Sequence, residues 1–364
     1  MDDHVSTVVL IYGGRSPEHE VSLRSAASVY DALRAAGYEV IPVLITRGGM
    51  WYLMPSRPDS FHSDAKPLEE NRVMFPPDPT YGGLLSMGAT GEAAVIKADM
   101  IFPVLHGAYG EDGTLQGVLE MANTPYVGCG VLASAVGMDK VLMKAAFRAS
   151  GLAVGPYFWF LRSEWENERR CVMDRFQERR LPVYVKPANL GSSVGISRVE
   201  RPEDFSRAVE LALSYDRKIL VEDGIVGREL EVSVLGNDAP MASLAGEIIS
   251  QGSFYDYEEK YVRDTAQLII PAKLSSKEQE LAASTAIQAF RAVDGSGMAR
   301  VDMFLTREGE MVVNEINTIP GFTSISMYPK LWEVSGVPFP ELVKRLIELA
   351  VERHRQKQLL KTDR

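Results

Sequence analysis

The sequence predicts an α/β protein built on three successive sheets, and three observations predict it. An apolar strand at the N-terminus closes on a glycine pair and leads into a helix and a second strand. The same strand-then-glycine pattern returns at Met100. From Arg228 the chain alternates in the manner of an antiparallel sheet.

The elements follow in order. Thr7-Val8-Val9-Leu10-Ile11-Tyr12 is apolar throughout, as a strand covered on both faces must be, and it ends at Gly13-Gly14. A helical stretch runs from Val21 to Ala36, then a strand from Glu39 to Ile45. Met100-Ile101-Phe102-Pro103-Val104-Leu105 runs into His106-Gly107, and Thr114 to Met121 reads as the next helix. Such a parallel sheet works at the C-terminal ends of its strands. Met54 to Gly91, with Pro76-Pro77, Pro79 and Gly82-Gly83, reads as turns and loops or an exposed hairpin. Ala133 to Ser150 reads as one helix carrying Asp139-Lys140. Tyr157-Phe158-Trp159-Phe160, Val183-Tyr184-Val185-Lys186 and Ile219-Leu220-Val221-Glu222 read as a smaller sheet, with a helix around Glu203 to Ser214 packed between them. The third region is interrupted by a polar aromatic stretch from Gly252 to Asp264, and Phe339 to Lys357 is an amphipathic helix with a basic end. These readings divide the chain into domains 1–137, 138–225 and 226–364.

Composition narrows the class. With 364 residues and 46% hydrophobic content the chain can bury more than one core. A net charge of -10 argues against nucleic-acid binding, which needs a basic surface. Any phosphate must therefore meet a local positive site. Two cysteines, Cys129 and Cys171, make no disulfide framework, and no apolar run reaches membrane-spanning length. A cytoplasmic protein without membrane attachment is expected.

Chemistry concentrates near the C-terminus. Ala299-Arg300-Val301-Asp302-Met303-Phe304-Leu305 and Met311-Val312-Val313-Asn314-Glu315-Ile316-Asn317 flank a polar turn and read as an antiparallel hairpin. With Glu308-Gly309 as the loop, Asp302 faces Glu315 and Arg300 faces Asn317, all four on one face. Opposed carboxylates repel, and a hard divalent cation between them is the simplest remedy; oxygen ligands without Cys or His suit Mg²⁺ or Mn²⁺. From the hairpin alone, a solvated face in which Arg300 pairs with Asp302 or Glu315 serves equally well.

No Gly-x-x-x-x-Gly-Lys-Ser/Thr loop is present, which excludes a P-loop. Gly128-Cys129-Gly130-Val131-Leu132-Ala133 fits a loose dinucleotide fingerprint, but no acid follows about 20 residues on to hold a ribose, and a tight turn explains it. Lys186-Pro187-Ala188-Asn189-Leu190-Gly191-Ser192-Ser193-Val194-Gly195 is the better phosphate site: a lysine ends an apolar strand and a Gly/Ser loop follows. Lys186 needs an anionic partner if buried, and the Ser192 and Ser193 hydroxyls add donors.

Together with Gly13-Gly14-Arg15-Ser16-Pro17-Glu18-His19-Glu20-Val21-Ser22, His106-Gly107-Ala108-Tyr109-Gly110-Glu111-Asp112-Gly113, Met138-Asp139-Lys140, Phe254-Tyr255-Asp256-Tyr257-Glu258-Glu259-Lys260-Tyr261 and Asn314-Glu315-Ile316-Asn317-Thr318-Ile319-Pro320-Gly321, these residues resemble the ATP-grasp superfamily. The resemblance narrows to the D-alanine–D-alanine ligase family along almost the whole chain. It implies a three-domain ATP-grasp fold, with an N-terminal parallel-sheet domain and ATP held between two α+β domains. It implies ATP-dependent joining of two D-alanines through an acyl phosphate, with two Mg²⁺ or Mn²⁺ ions, in a cytoplasmic homodimer.

The resemblance also assigns roles. Glu18 is like the group that binds the first D-alanine's ammonium, and His106 lies near that substrate. Arg300 with the Gly321 N–H is like the family's oxyanion site; Asp302, Glu315 and Asn317 resemble its metal ligands. Lys140 and Lys186, with Ser192 and Ser193, resemble phosphate ligands. Glu222 with Asp223-Gly224-Ile225 resembles the adenine site, and Glu229 the ribose contact. Ser326 resembles the group that holds the second D-alanine's carboxylate, and Lys260 assists there or at the phosphate. Glu18, Ser192 and Tyr261 resemble a hydrogen-bonded latch that closes a lid, residues 252–264, over the acyl phosphate. Tyr261 matches the dipeptide-forming branch rather than ligases that join D-alanine to D-lactate. Another ATP-grasp carboxylate–amine ligase would lack the Glu18 loop and the lid, and a nucleotide-sensing or scaffold protein would have lost a metal ligand or Arg300.

Overall fold

A computed structural model of the chain describes residues 5–87, 93–191, 194–249, 267–323 and 325–361. Ser192, Ser193, Lys260, Tyr261 and the lid stretch 252–264 lie outside the described residues.

The first sheet has seven strands and a parallel centre. Thr7–Gly13 pairs with Glu39–Ile45 on one side and Met100–Val104 on the other, with Thr7 opposite Glu39 and Val8 opposite Met100. Both faces are covered. Val8, Leu10 and Tyr12 pack toward helices His19–Ala35 and Phe339–Gln358, while Val9 and Ile11 pack toward helix Thr114–Met121. Hence the unbroken apolar runs. The stretch expected as loops or a hairpin does more than that. Arg72–Met74 and Gly83–Met87 join Trp51–Leu53 and Ala93–Lys97 to extend the sheet in antiparallel fashion. Tyr52, Val73 and Leu84 are each buried there, but strands of three to five residues carry too little alternation to stand out as a period.

The helix expected from Ala133 to Ser150 is two helices, Val131–Met138 and Lys140–Ala149. Asp139 separates them. Its ψ of 101° leaves the helical region, and its carboxylate accepts the N–H groups of Val141 and Leu142 at 3.1 Å. A short acid side chain that competes for free amides makes a cap, not a helix interior.

The second sheet is antiparallel, in the order Ser197–Val199, Val183–Pro187, Lys218–Asp223, Tyr157–Leu161. Phe160, Trp165, Phe176 and Phe205 fill its core. The third sheet runs Gln267–Ile269, Gly246–Ile249, Gly227–Gly236, Gly297–Thr306, Met311–Asn317, with Met241–Ala242 also paired to Gly227–Gly236. Its apolar face is covered by helix Ser276–Ala292, which the alternation reading passes over. The Ser275 and Glu278 capping box marks its start. No helix among the described residues is long and apolar enough to cross a membrane.

Phe290 is fully buried against this sheet while Leu281 on the same helix is 37% exposed. Phe290→Ala is expected to lower stability by about 3–5 kcal/mol in urea denaturation, and Leu281→Ala by far less. Equal losses would place the wrong helix face inward.

Candidate active site

The hairpin has the register that alternation predicts: Arg300 lies opposite Asn317 and Asp302 opposite Glu315. Its turn differs. Beyond Asp302 the pairing runs Met303 with Val313 and Leu305 with Met311, so the connection closes between Thr306 and Glu310, whose N–H and carbonyl meet at 2.9 Å. Three residues, not Glu308-Gly309 alone, make the loop. A bulge at Asn314 absorbs the difference and restores the expected pairs. A bulge turns its extra residue out of the ladder, and the Asn314 carbonyl accepts from Lys144 Nζ at 3.1 Å.

The neighbouring strand adds an acid that the sequence reading missed. Glu231 lies opposite Asp302, so Glu231, Asp302 and Glu315 stand in one row across three strands. Glu231 and Asp302 are each only 4% exposed. Arg300 holds the row together. Its Nε and Nη2 each lie 2.7 Å from an oxygen of Asp302, and Nε lies 3.1 Å from Glu231 Oε2. Asn317 Nδ2 donates to Asp302 Oδ2 at 3.1 Å. The ion pair of the solvated reading is therefore present, but its acids are buried rather than solvated. Among the described residues no three His, Cys, Asp or Glu side chains could by themselves hold a metal ion. Asp302, Glu315 and the Asn317 carboxamide oxygen nonetheless fit a Mg²⁺ that completes its shell with phosphate and water, the usual arrangement for that ion.

Facing the hairpin is a buried cluster of cations. Lys186 finds its expected anion in Glu222, at 2.5 Å, and Lys144 lies 2.7 Å from the other Glu222 oxygen. Desolvation acts to raise the Glu222 pKa, but Lys144 and Lys186 overcome it and hold the carboxyl down at about 2. Lys144 sits one helical turn beyond Lys140, a spacing that marks it in the sequence. Lys140 Nζ donates to the Leu190 carbonyl at 2.6 Å and lies 3.7 Å from Glu315. It thus ties the base of the Gly/Ser loop to the hairpin.

Next to Glu222, the hinge amides are partly committed: Asp223 N–H donates to Pro156 and Gly224 N–H to Pro182, both at 3.0 Å. The Asp223 carboxylate lies 3.5 Å from Arg179. Gly224 is packed so closely that a Cβ would stand 3.1 Å from Pro182 O, and Ile225 lies against Gly155. Glu229 is half-buried on the strand that carries Glu231, two positions before it.

Two other loops close on Glu18. It is 6% exposed, and a Cβ at Gly107 or at Gly191 would stand 2.6 or 2.8 Å from its Oε2. At Gly107, whose φ is +74°, the backbone itself also favours glycine; at Gly191 a side chain would displace the Glu18 carboxylate. Glu111, inside the second quoted loop but unassigned by sequence, accepts from Gly107 N–H at 2.7 Å and Ile319 N–H at 3.1 Å. Desolvation and then the Glu18 carboxylate raise its pKa to about 8. His106 is buried, and desolvation lowers its pKa to about 4, so its ring is neutral at pH 7. Beyond the hairpin, a Cβ on Gly321 would meet Ser326 Oγ at 2.8 Å, and Ser326 Oγ accepts from Thr323 N–H at 3.0 Å. The structure thus links Lys140 to Glu315, Lys186 to Glu222, Arg300 and Asn317 to Asp302, and sets Gly321 against Ser326, while Glu18 lies against the loops of Gly107 and Gly191 and His106 against Ile319.

Comparison with known proteins gives a consistent answer. The family model described as D-ala D-ala ligase N-terminus matches residues 7–129, and that described as D-ala D-ala ligase C-terminus matches residues 146–348. A D-alanine–D-alanine ligase of Heliobacterium modesticaldum is 50% identical over 360 residues, covering 98% of each chain, and one of Geobacillus thermodenitrificans is 48% identical, covering 97% of each. The structure of the Coxiella burnetii D-alanine-D-alanine ligase superposes with a TM-score of 0.82 at 39% identity, covering 97% of this chain and 96% of that one. VanG D-Ala:D-Ser ligase from Enterococcus faecalis superposes with a TM-score of 0.85 at 35% identity, covering 95% of this chain and 100% of that one. With both halves matched and likeness running nearly end to end, the chain belongs to the D-alanine–D-alanine ligase family.

Proposed function

We propose that this chain is an ATP-dependent ligase that joins two D-alanines into D-alanyl-D-alanine through a D-alanyl phosphate, for peptidoglycan precursor synthesis. Its family uses ATP. The observation that carries the reading is the meeting of opposed acids with phosphate-binding cations, where Lys140 bridges Glu315 and the Gly/Ser loop. Beyond balancing Glu222 and Glu315, Lys140, Lys144 and Lys186 supply the local positive site that a phosphate needs on an acidic chain.

In this reading Lys140 and Lys186 hold the triphosphate, with Ser192 and Ser193 as further donors. The Glu222 to Ile225 hinge and Glu229 take adenine and ribose. Asp302, Glu315 and Asn317 would hold two Mg²⁺ or Mn²⁺ ions, which when bound neutralise phosphate charge. Glu18 is the counter-ion for the first D-alanine's ammonium, and His106 borders that subsite. That D-alanine's carboxylate attacks the γ-phosphorus and ADP departs. The second D-alanine, its carboxylate held by Ser326 with help from Lys260, then attacks the acyl carbon through its neutral amine. The C–O bond to phosphate breaks as the peptide bond forms, and the departing phosphate takes up the proton that the nitrogen sheds. Arg300 and the Gly321 N–H stabilise the oxyanion of the tetrahedral intermediate. Glu18, Ser192 and Tyr261 latch the lid so that water does not intercept the acyl phosphate. The domains are those bounded at 137 and 225, and the protein works as a cytoplasmic homodimer on D-alanine and ATP.

The likeness to a D-Ala:D-Ser ligase supplies the competing second substrate. Incubation with ATP, Mg²⁺ and D-alanine is expected to yield D-alanyl-D-alanine, ADP and phosphate by mass, with D-serine, D-lactate and L-alanine as poor second substrates. A dominant D-alanyl-D-serine or D-alanyl-D-lactate product would reassign the specificity. EDTA is expected to abolish turnover and Mg²⁺ or Mn²⁺ to restore it; full activity in EDTA would remove the metal ligands' role.

Arg300→Ala is expected to lower kcat by about 10² to 10³-fold with little change in ATP affinity, as loss of an oxyanion donor does. An unchanged kcat removes that role. Glu222→Gln leaves two buried ammonium groups without their carboxylate, so both thermal stability and ATP affinity are expected to fall. If neither moves, Glu222 does not organise the site.

A further inference from the structure

The loop that carries the Gly321 N–H is held from outside its own sheet. Ile319 N–H donates to Glu111 at 3.1 Å, and the Ile319 carbonyl lies 3.1 Å from His106 Nδ1. Phe322 N–H donates to Ser25 Oγ at 3.2 Å, and Ser25 Oγ lies 3.1 Å from His106 Nε2. One proton arrangement satisfies every contact. The neutral ring carries its proton on Nδ1 and gives it to Ile319, while the Ser25 hydroxyl donates to Nε2 and accepts from Phe322. Ser25 is fully buried, at 0% exposure, on helix His19–Ala35. The Phe322 ring is also fully buried and contacts Phe102, Tyr328 and Phe339, so the loop is anchored in the N-terminal core. Pro320 has no N–H, the N–H groups of Ile319 and Phe322 are taken, and no acceptor among the described residues takes that of Gly321.

We infer that Ser25, His106 and Glu111 are positioning residues that clamp the Ile319 to Phe322 loop from both sides and aim the Gly321 N–H at the reacting carbonyl. The inference rests on the ligase reading. None of the three needs to touch the oxyanion. They restrict the backbone donor that does so beside Arg300, and a donor displaced by about 1 Å loses on the order of 10²-fold in rate.

Ser25→Ala removes both contacts of the hydroxyl, and kcat is expected to fall about 10 to 100-fold with the ATP KM unchanged. A phosphinate analogue of the dipeptide, tetrahedral at the reacting carbon, should lose affinity in parallel with kcat/KM while D-alanine binding is retained. Ser25→Cys, which keeps a weak donor and acceptor, should recover part of the loss. A purely structural serine would lower melting temperature or active fraction but would leave analogue affinity intact, and that result overturns the inference. Amide exchange in the wild-type enzyme tests it without substitution: the Phe322 N–H should exchange slowly without nucleotide, and fast exchange in the folded protein overturns it as well. Wild-type protein that makes no dipeptide defeats the ligase reading; active wild type with an unaffected Ser25→Ala variant defeats the clamp alone.

Discussion

Burying like charges side by side is the constraint around which this site is built. Glu231, Asp302 and Glu315 stand opposite one another on adjacent strands, where side chains lie about 5 Å apart. At an effective dielectric of about 20, each neighbouring pair of carboxylates repels by on the order of 3 kcal/mol. That is a sizeable part of a domain's whole stability. Arg300 meets the cost by contacting Glu231 and Asp302 at once, and Lys140 approaches Glu315 from the other side. One guanidinium thus relieves two of the three acids in the row.

A second charge balance lies behind the first and inverts it. There one carboxylate, Glu222, sits between two ammonium groups, Lys144 and Lys186. One negative charge for two positive leaves the cluster electropositive, which suits a polyphosphate. Lys144 also reaches the Asn314 carbonyl, so the strand Lys218–Asp223, the helix Lys140–Ala149 and the hairpin bulge are joined through one side chain. The bulge is therefore part of the site. It restores the register of the acids and at the same time turns a carbonyl toward the lysine.

The loops of the first sheet meet those of the second by close packing and those of the third by hydrogen bonds. Glu18 is enclosed by Gly107 and Gly191, and Ile319 is held on both its N–H and its carbonyl. Such pre-organisation fixes the backbone of the Ile319 to Phe322 loop before any ligand arrives.

Alternation and residue type alone determined the pairing of Asp302 with Glu315 and Arg300 with Asn317 and the parallel centre of the first sheet, because each is written in consecutive residues with a period of two or in a strand that ends on glycine. The turn was misplaced by one residue because a bulge and a longer loop cancel, and no local pattern distinguishes that from neither. Periodicity runs a single helix through Asp139, whose carboxylate instead takes the amides of Val141 and Leu142 and starts a second one. Only the tertiary structure decided that Glu231 joins the acid row, that Glu222 is the anion for Lys144 and Lys186, and that Ser25, His106 and Glu111 grip a loop some 200 to 300 residues away. Those partners come from separate sheets, and the charge or hydrogen bond that each satisfies exists only once the sheets are packed together.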